Sequence, residues 1–315
     1  MNENINLHTL KKTILYYGFY IVFAVMLIVY AFGAKNFLSA DNLLQVLMDS
    51  SASMVICAGL TFVVLTGALD LSVGSVAFVS ATVSAILIKN DFPIWLALLA
   101  AVLTGMLLGA VNGVLITKLK MNPMLTTLGM MIGLRGLALQ LTNGMQIYIP
   151  KALKQFGMQF ITVFPLIVLF GLIMLVLAQF VLSRTKFGRY VIAIGCGEKS
   201  AEKVGINVTL NKFLIFVISG VCASLGGIVS VINMGAVQPY LGKGMEFTTV
   251  AAIVLGGTSL FGGKGSFIPG TLMGVLMLSL IENGLGLMGA SPFIYPFVRG
   301  LIIFVAMYAD SLKDS

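Results

Sequence analysis

Apolar runs of about twenty residues follow one another along this chain, and they constrain its fold more than any other feature. They cover residues 14–33, 43–67, 71–88, 94–117, 124–142, 161–183, 212–234, 247–260, 266–283 and 292–309. A helix of about 20 apolar residues crosses a bilayer, where only helices and closed barrels satisfy every backbone polar group. Only 10% of the 315 residues are charged, against roughly 25% in soluble domains. We therefore predict an all-α integral membrane protein of about ten transmembrane helices, forming a single domain over residues 1–315.

Few side chains in this sequence could carry catalytic or redox chemistry. His8 is its only histidine, and the three cysteines, Cys57, Cys196 and Cys222, lie far apart without a CxxC spacing. This set argues against histidine-based hydrolysis, histidine metal sites and a disulfide framework. We therefore expect no catalytic residue, no metal and no cofactor. The basic residues flank apolar spans, so the excess of 19 basic over 11 acidic side chains does not indicate nucleic-acid binding.

The distribution of basic residues predicts the side of the membrane that each loop faces. When the spans alternate from a cytoplasmic start, the cytoplasmic segments hold Lys11, Lys12, Lys118, Lys120, Arg184, Lys186, Arg189, Lys199, Lys203, Lys212, Lys264 and Lys313. The opposite side holds only Lys35, Lys89, Lys151, Lys154 and Lys243. Cytoplasmic loops are enriched in Lys and Arg, so this asymmetry predicts that both termini are cytoplasmic. We also expect the first span to remain uncleaved.

Two apolar segments are interrupted by small or polar residues and predict broken or re-entrant helices. The first, 61–76, contains Gly67, Asp70 and Gly74, and the second, 247–260, leads into a Gly-rich string that ends at Gly265. Non-helical backbone is tolerated at membrane depth only where protein or a water-filled cavity satisfies its polar groups. Both interruptions therefore indicate buried or cavity-lining backbone.

The same two segments resemble each other and suggest an internal repeat. Residues 65–67 (Leu-Thr-Gly) precede Gly-Ser at 74–75, and residues 255–257 (Leu-Gly-Gly) precede Gly-Ser at 265–266. Many transporters consist of two such repeats, with the substrate path at their interface. Chance resemblance between Gly-rich membrane segments is the alternative, since the match is short.

Three polar residues inside the spans are candidates for a translocation path. Asp70 could contact a solute, but we favour a capping role for it at a helix that begins near Ser72. Asn112 could also contact a solute, and we favour an interhelical hydrogen bond. Arg135 has no evident partner in the sequence, and ionisable residues at such depth face the interior of a helix bundle.

Other residues in the spans have a packing pattern. Gly105, Gly109 and Gly113 lie on one helix face and allow close approach of a second helix, either within the subunit or at a dimer interface. The same four-residue spacing recurs at 129/133 and 270/274. Glu282 and Arg299 flank the turn at 283–291 and form a plausible structural ion pair. We also assign a structural role to Gly256 and Gly257, which lie near the end of the interrupted segment 247–260.

The segment 184–211 is the one long polar stretch between apolar spans, and it predicts a cytoplasmic loop with a short amphipathic helix. Ser200 is the expected N-cap of that helix and Gly205 its C-terminal stop. A merely solvated basic loop is the alternative, but Val191 and Ile194 are apolar where such a loop would be polar. An apolar patch of this kind suits docking into a partner's groove.

Residues 258–265 are the string most similar to a nucleotide-binding loop, but they do not fit its pattern. A phosphate-binding loop needs glycine at the position of Thr258 and serine or threonine at the position of Gly265. We therefore expect this chain to hydrolyse no ATP itself and to be no enzyme.

Several strings together resemble the membrane permease subunits of bacterial ABC importers for monosaccharides, the ribose-type permeases. The matching strings are Gly67-x-x-Asp70-Leu71-Ser72-Val73-Gly74-Ser75, Asn122-Pro123, Thr127-Leu128-Gly129, Arg135-Gly136, Thr142-Asn143-Gly144, Gly188-Arg189-Tyr190-x-x-Ala193-Ile194-Gly195 and Glu246-x-x-x-Val250-Ala251-Ala252. They run from about residue 50 to 300. Cys196 and Met124 depart from the family pattern, at the fine geometry of the loop and at local packing respectively.

The resemblance implies that two permease subunits, identical or paralogous, form a pore in the bacterial inner membrane. It implies that ABC ATPase subunits dock on the 184–211 loops and that a periplasmic sugar-binding protein delivers the substrate. The loop residues similar to the family's ATPase contacts are Gly188, Arg189, Tyr190, Ala193, Ile194, Gly195, Ala201, Gly205 and Ile206. A permease for a nucleoside, a polyol or autoinducer-2 remains an alternative, as does an ion-coupled secondary transporter.

Overall fold

The fold is a bundle of helices with four two-residue strands, seen in a computed structural model that describes residues 23–161, 163–291 and 293–311. The helices of the first half are α1 (Phe23–Gly33), α2 (Ala40–Leu65), α3 (Val73–Lys89), α4 (Ile94–Thr117), α5 (Pro123–Thr142), α6 (Lys151–Gly157) and α7 (Leu166–Arg184). Those that follow are α8 (Lys186–Cys196), α9 (Glu198–Lys203), α10 (Val208–Met234), α11 (Met245–Leu255), α12 (Leu272–Leu287) and α13 (Ile294–Ser311). Strand β1 (Ile147–Tyr148) pairs with β4 (Ala236–Val237), and β2 (Phe160–Ile161) pairs with β3 (Phe164–Pro165), both antiparallel.

Six segments of the described chain are helical, long and apolar enough to cross a membrane. They are α2, α4, α5, α7, α10 and the π-helical turn Phe267–Thr271 together with α12. Four shorter apolar helices are α1, α3, α11 and the part of α13 up to Val305. Each of the ten predicted spans overlaps one of these helices. How many of the four cross the membrane remains a prediction, and residues 14–22 lie outside the described part of the chain, as do His8, Lys11, Lys12 and Lys313.

The centre of the bundle is built around α2 and α10, which have the largest fractions of buried residues among the six long spans. They approach closely because Gly59 of α2 faces Ser219 and Cys222 of α10, where a Cβ would meet the Cys222 Cβ at 2.6 Å. The N-terminus of α2 is capped by Ser39, whose hydroxyl accepts a hydrogen bond from the Asn42 amide. Interior side chains of both helices are fully buried, so any change of register between them would leave voids.

Helix α4 packs against α10 through the glycine stripe predicted from the sequence. A Cβ on Gly105 or Gly109 would collide with carbonyl oxygens of α10, those of Gly220 and Phe216. A Cβ on Gly113 would lie 2.8 Å from Cδ2 of the Phe213 ring. Within the described residues this stripe therefore serves an intrasubunit contact.

The glycines of α5 have a different environment. Gly129, Gly133 and Gly136 have open space around them, because no atom of the described residues lies within 4 Å of an added Cβ. Their helix begins at Asn122, whose side chain caps the amides of Met124 and Leu125, and it presents exposed apolar side chains beside them. None of the residues that the structure describes covers this face of α5.

Both predicted helix interruptions are present, and they begin with the same backbone geometry. After α2 ends at Leu65, Gly67 adopts a positive φ of 74°, and its amide donates to the Val64 carbonyl at 2.8 Å. After α11 ends at Leu255, Gly257 adopts a φ of 84°, and its amide donates to the Val254 carbonyl at 2.8 Å. These left-handed glycines satisfy the last carbonyls of each helix. The shared geometry agrees with a repeat, which remains a prediction.

Replacement of Gly109 by alanine should destabilise the bundle, although alanine normally favours a helix over glycine by about 1 kcal/mol. The added methyl meets the Phe216 carbonyl, and overpacking of this kind costs about 1–3 kcal/mol. We expect a lower thermal unfolding midpoint in detergent for G109A, measured by intrinsic fluorescence. The matched control is G136A, which adds the same methyl to open space. Equal midpoints for the two variants would contradict the close α4–α10 contact.

Candidate functional site

The loop between α7 and α10 folds into two short helices, α8 and α9. Thr185 caps α8, its hydroxyl accepting a hydrogen bond from the Gly188 amide at 3.2 Å. The prediction that Ser200 is the N-cap of this helix is wrong. Helix α9 begins at Glu198, directly after Gly197, so Ser200 lies inside it. The predicted stop at Gly205 is confirmed, since it adopts a φ of 83° and its amide bonds the Glu202 carbonyl.

The apolar face of α8 points into the protein, and this corrects the prediction of an outward docking patch. Val191 and Ile194 are fully buried, as is Ala201 of α9. Gly188 is buried as well, and a Cβ there would collide with the Leu182 backbone of α7. These residues attach the loop to the bundle. The pattern of apolar residues correctly marked a contact surface, but the contact is with the chain itself.

The C-terminal end of α8 touches both helix interruptions at one point. A Cβ on Gly195 would collide with the Leu65 carbonyl oxygen and with the Gly263 amide nitrogen. That amide donates a hydrogen bond to the same Leu65 carbonyl at 2.9 Å. Gly262 lies beside it, and a Cβ there would be 2.8 Å from the Gly67 nitrogen. We call the meeting point of these three backbone segments the three-backbone junction.

An aromatic contact joins the same three parts of the chain. The ring of Phe187 in α8 lies 5.8 Å from that of Phe62 in α2, measured between centroids. Phe62 in turn lies 4.8 Å from Phe267, which begins the π-helical turn before α12. Gln179 of α7 holds this turn, because its side-chain oxygen accepts from the Phe267 amide at 2.9 Å. Helix α8 therefore contacts α2 at two places eight residues apart, Phe187 and Gly195, and at Gly195 it also contacts the segment that contains Gly263.

The remaining loop residues form an exposed face. Of the predicted docking residues, Arg189, Tyr190 and Gly205 are exposed, while Ala193, Gly195 and Ile206 are half-buried. Val204, directly after α9, is 76% exposed. The Nζ of Lys212 in α10 donates a hydrogen bond to Oε1 of Glu198 at 2.7 Å. This ion pair fixes α9 to the next helix.

Asp70 and Asn112 meet in a buried polar network between the first interrupted segment, α4 and α10. The Asp70 carboxylate accepts hydrogen bonds from the amide and hydroxyl of Ser72, at 3.0 and 2.6 Å, and from the Ser219 hydroxyl of α10 at 2.8 Å. Asn112 of α4 donates to the Ser72 hydroxyl at 2.9 Å. Asp70 is 2% exposed and Asn112 is fully buried.

This geometry extends the role predicted for Asp70. Ser72 is the N-cap residue of α3, and Asp70 accepts the Ser72 amide at the start of this helix. The same carboxylate also holds the interrupted segment against α10 through Ser219. Asn112 makes the interhelical hydrogen bond that we favoured. Its own side-chain oxygen has no hydrogen-bond partner among the described residues.

Arg135 lies on α5, apart from this network. It is half-buried, and its Nη2 is enclosed without a hydrogen-bond partner among the described residues. The structure thus brings Asp70 and Asn112 together through Ser72, whereas no hydrogen bond within the described part of the chain joins them to Arg135. A role for any of the three in a translocation path remains a prediction.

Glu282 and Arg299 form the predicted ion pair, which lines a cavity at the opposite end of α2 from the three-backbone junction. The Arg299 Nη2 donates to Glu282 Oε2 at 2.8 Å, and its Nε bonds the other carboxylate oxygen. The cavity also contains Asp49, Tyr240 and Lys243. Sequence reasoning missed these three, since they lie in separate segments; only the basic character of Lys243 had been noted.

Comparison with known proteins identifies the group to which this fold and loop belong. A family model described as the permease component of the branched-chain amino acid transport system matches residues 42–307. The chain belongs to this permease family. It is therefore a multi-pass membrane protein of the permease type. No solved structure shows significant similarity to it.

The most similar relatives include several sugar permeases of Escherichia coli (strain K12). The ribose import permease protein is 35% identical over 286 residues, which cover 89% of each sequence. The D-allose transport system permease protein is 32% identical over 305 residues, 94% of this chain and 91% of the relative. The L-arabinose transport system permease protein is 35% identical over 300 residues, 95% and 91% respectively. The resemblance to ribose-type permeases is confirmed.

Replacement of Gly195 by alanine should separate α8 from both interrupted segments, since the methyl collides with two backbone groups that cannot rotate away. Overpacking by about 1–3 kcal/mol corresponds to about 5-fold to 150-fold in a local opening equilibrium. We expect amide hydrogen exchange in α8 and around Gly263 to accelerate by that factor, measured by mass spectrometry. G300A in α13 is the matched control, as no atom lies within 4 Å of its added methyl. Unchanged exchange in G195A would contradict the junction.

Proposed function

We propose that this chain is the membrane-spanning permease subunit of an ATP-driven importer that translocates a monosaccharide, ribose or a related sugar, across the bacterial inner membrane. The proposal is supported by near full-length similarity to ribose, D-allose and L-arabinose permeases. The observation that carries the mechanism is the attachment of α8 to both interrupted segments at Gly195, with a second contact to α2 at Phe187.

In this mechanism an ABC ATPase docks on the exposed face of α8 and α9, with Arg189, Tyr190 and Val204 as its contacts. A displacement of α8 acts on α2 and on the segment 256–271 together, because α8 touches both and packed elements move as units. A single displacement of α8 by the docked ATPase therefore shifts the backbone of both interrupted segments. The permease itself contributes no hydrolytic residue and needs no cofactor.

The other expected partners follow from the same proposal. A sugar-binding protein delivers substrate at the side opposite to the 184–211 loop, and both chain termini face the cytoplasm. A second permease subunit, identical or paralogous, covers the open face of α5, where Gly129 and Gly133 have no neighbour within 4 Å. The apolar outer surface contacts lipid.

Reconstitution tests the proposed function directly. Proteoliposomes containing the chain with its cognate ATPase and binding protein should accumulate radiolabelled sugar only when ATP is present on the loop side. A solute panel should contain ribose, D-allose and L-arabinose beside a nucleoside, a polyol and autoinducer-2. Uptake by the chain alone under an ion gradient would overturn the proposal in favour of a secondary transporter. Uptake of a panel member other than a sugar would overturn the assignment of cargo.

Substitution of an exposed loop residue tests the docking face without disturbing the core. V204E places a charge where an apolar side chain is 76% exposed, and a lost interface contact of about 1.4 kcal/mol lowers affinity tenfold. We expect at least a tenfold loss of ATPase co-purification and of coupled uptake, with an unchanged unfolding midpoint. V163E is the matched control, because Val163 is also a valine, is 70% exposed and lies outside the loop. Full ATPase retention by V204E would remove Val204 from the interface.

A further inference from the structure

A cavity of about 420 Å³, lined by both polar and apolar side chains, opens between parts of the bundle that are distant in sequence. Its walls come from the first half of α2, the end of α10, the segment 240–248, the second half of α12 and the start of α13. Asp49, Tyr240 and Lys243 on its rim are exposed, so the cavity is open to the surface. Its volume falls within the range of about 300–1,000 Å³ typical of small-molecule sites.

The polar groups around this cavity are held in place by bonds on the protein side. Asn283 and Asn42 exchange side-chain hydrogen bonds of 2.9 and 3.0 Å, and Glu282 is fixed by Arg299. Asp49 accepts hydrogen bonds from the side chains of Gln45 and Asn233, at 2.9 and 3.1 Å. Groups fixed in this way lose little conformational freedom when a ligand binds.

The charges at the cavity indicate a neutral ligand. Two carboxylates, Asp49 and Glu282, face two cations, Lys243 and Arg299, so the site carries no net charge to attract an anion or a cation. Ser53 and Ser279 add hydroxyl groups, and Tyr240 adds an aromatic ring that is 60% exposed. Alternating donors and acceptors beside a ring suit a compact molecule with many hydroxyls.

The position of the cavity connects it with the coupling loop. Helix α2 runs from Asp49 at the cavity to Leu65 at the three-backbone junction, about 24 Å at 1.5 Å per residue. Helix α11 begins at Met245 in the cavity wall and ends at Leu255, from which the chain leads to Gly263. Two of the elements that line the cavity, α2 and α11, thus lead to the Leu65 carbonyl and the Gly263 amide, which α8 contacts at Gly195.

We propose that this cavity is a binding site for a neutral polyhydroxylated solute, a monosaccharide, within the single permease subunit. The inference rests on the proposed function as a sugar permease and adds the location of a cargo site. Asp49 and Asn283 bind sugar hydroxyls, and Tyr240 packs on the apolar face of the ring. Occupation of the site stabilises one arrangement of α2 relative to α11, and this arrangement is transmitted to α8.

Thiol labelling of the assembled importer tests the site. The native cysteines Cys57 and Cys222 are buried and Cys196 is exposed. The substitution C196S therefore leaves no exposed native cysteine to react with the reagent. S53C in this background should react with a membrane-impermeant methanethiosulfonate reagent, and millimolar ribose should slow the reaction at least fivefold. S291C, exposed and outside the cavity, is the control whose reaction ribose should leave unchanged.

Two further variants make the outcome specific. D49A should abolish protection by ribose and reduce coupled uptake about tenfold, while D49N, which keeps the size of the side chain, should have an intermediate effect. Inorganic phosphate should give no protection, because the site is neutral. If the wild-type importer transports ribose but S53C labels equally with and without it, or if D49A transports at the wild-type rate, the inference is wrong. If the wild-type importer transports no sugar, the proposed function itself fails.

Discussion

The close approach of three backbone segments at Gly195 is the constraint on which the rest of this structure depends. Only glycine leaves room for the Leu65 carbonyl and the Gly263 amide to meet there, and their hydrogen bond of 2.9 Å closes the contact. Because backbone cannot rotate out of the way, the position of α8 determines the positions of both interrupted segments. The proposed transmission of force from a docked ATPase follows from this geometry, since a loop joined to one segment alone could move only one side of the bundle.

The buried polar groups serve the same arrangement. An unpaired carboxylate in the interior would be strongly destabilising, and Asp70 avoids this through three hydrogen bonds from Ser72 and Ser219. The network gives the interrupted segment a fixed place against α4 and α10, so the bundle gains a defined backbone where a regular helix is absent. At the other end of α2, the fixed side chains of Glu282 and Asn283 shape a neutral cavity. The two polar regions therefore have different tasks: one is closed and structural, and the other is open to a ligand.

Much of the fold could be predicted from the sequence because membrane helices depend on local composition. Each predicted apolar span overlaps a helix. Gly67 and Gly257, which lie at the predicted interruptions, adopt positive φ angles. The Glu282–Arg299 pair was predictable because its members flank one short turn. The direction of the apolar face of α8 was not predictable: Val191 and Ile194 mark a contact surface equally well for a partner protein or for the chain's own core. Ser200 failed as a cap because Gly197 ended α8 and let α9 begin earlier.

The sequence by itself determined that this chain is a helical membrane protein of the permease type with interrupted helices and a polar loop, because hydrophobic length, glycine spacing and family motifs are local properties. Only the tertiary structure decided what these parts touch. Asp49, Tyr240 and Lys243 are distant in sequence and carry no shared motif, yet they line one cavity. Leu65, Gly195 and Gly263 meet at one point for the same reason: contacts between remote segments depend on helix packing and loop course, which no local pattern records.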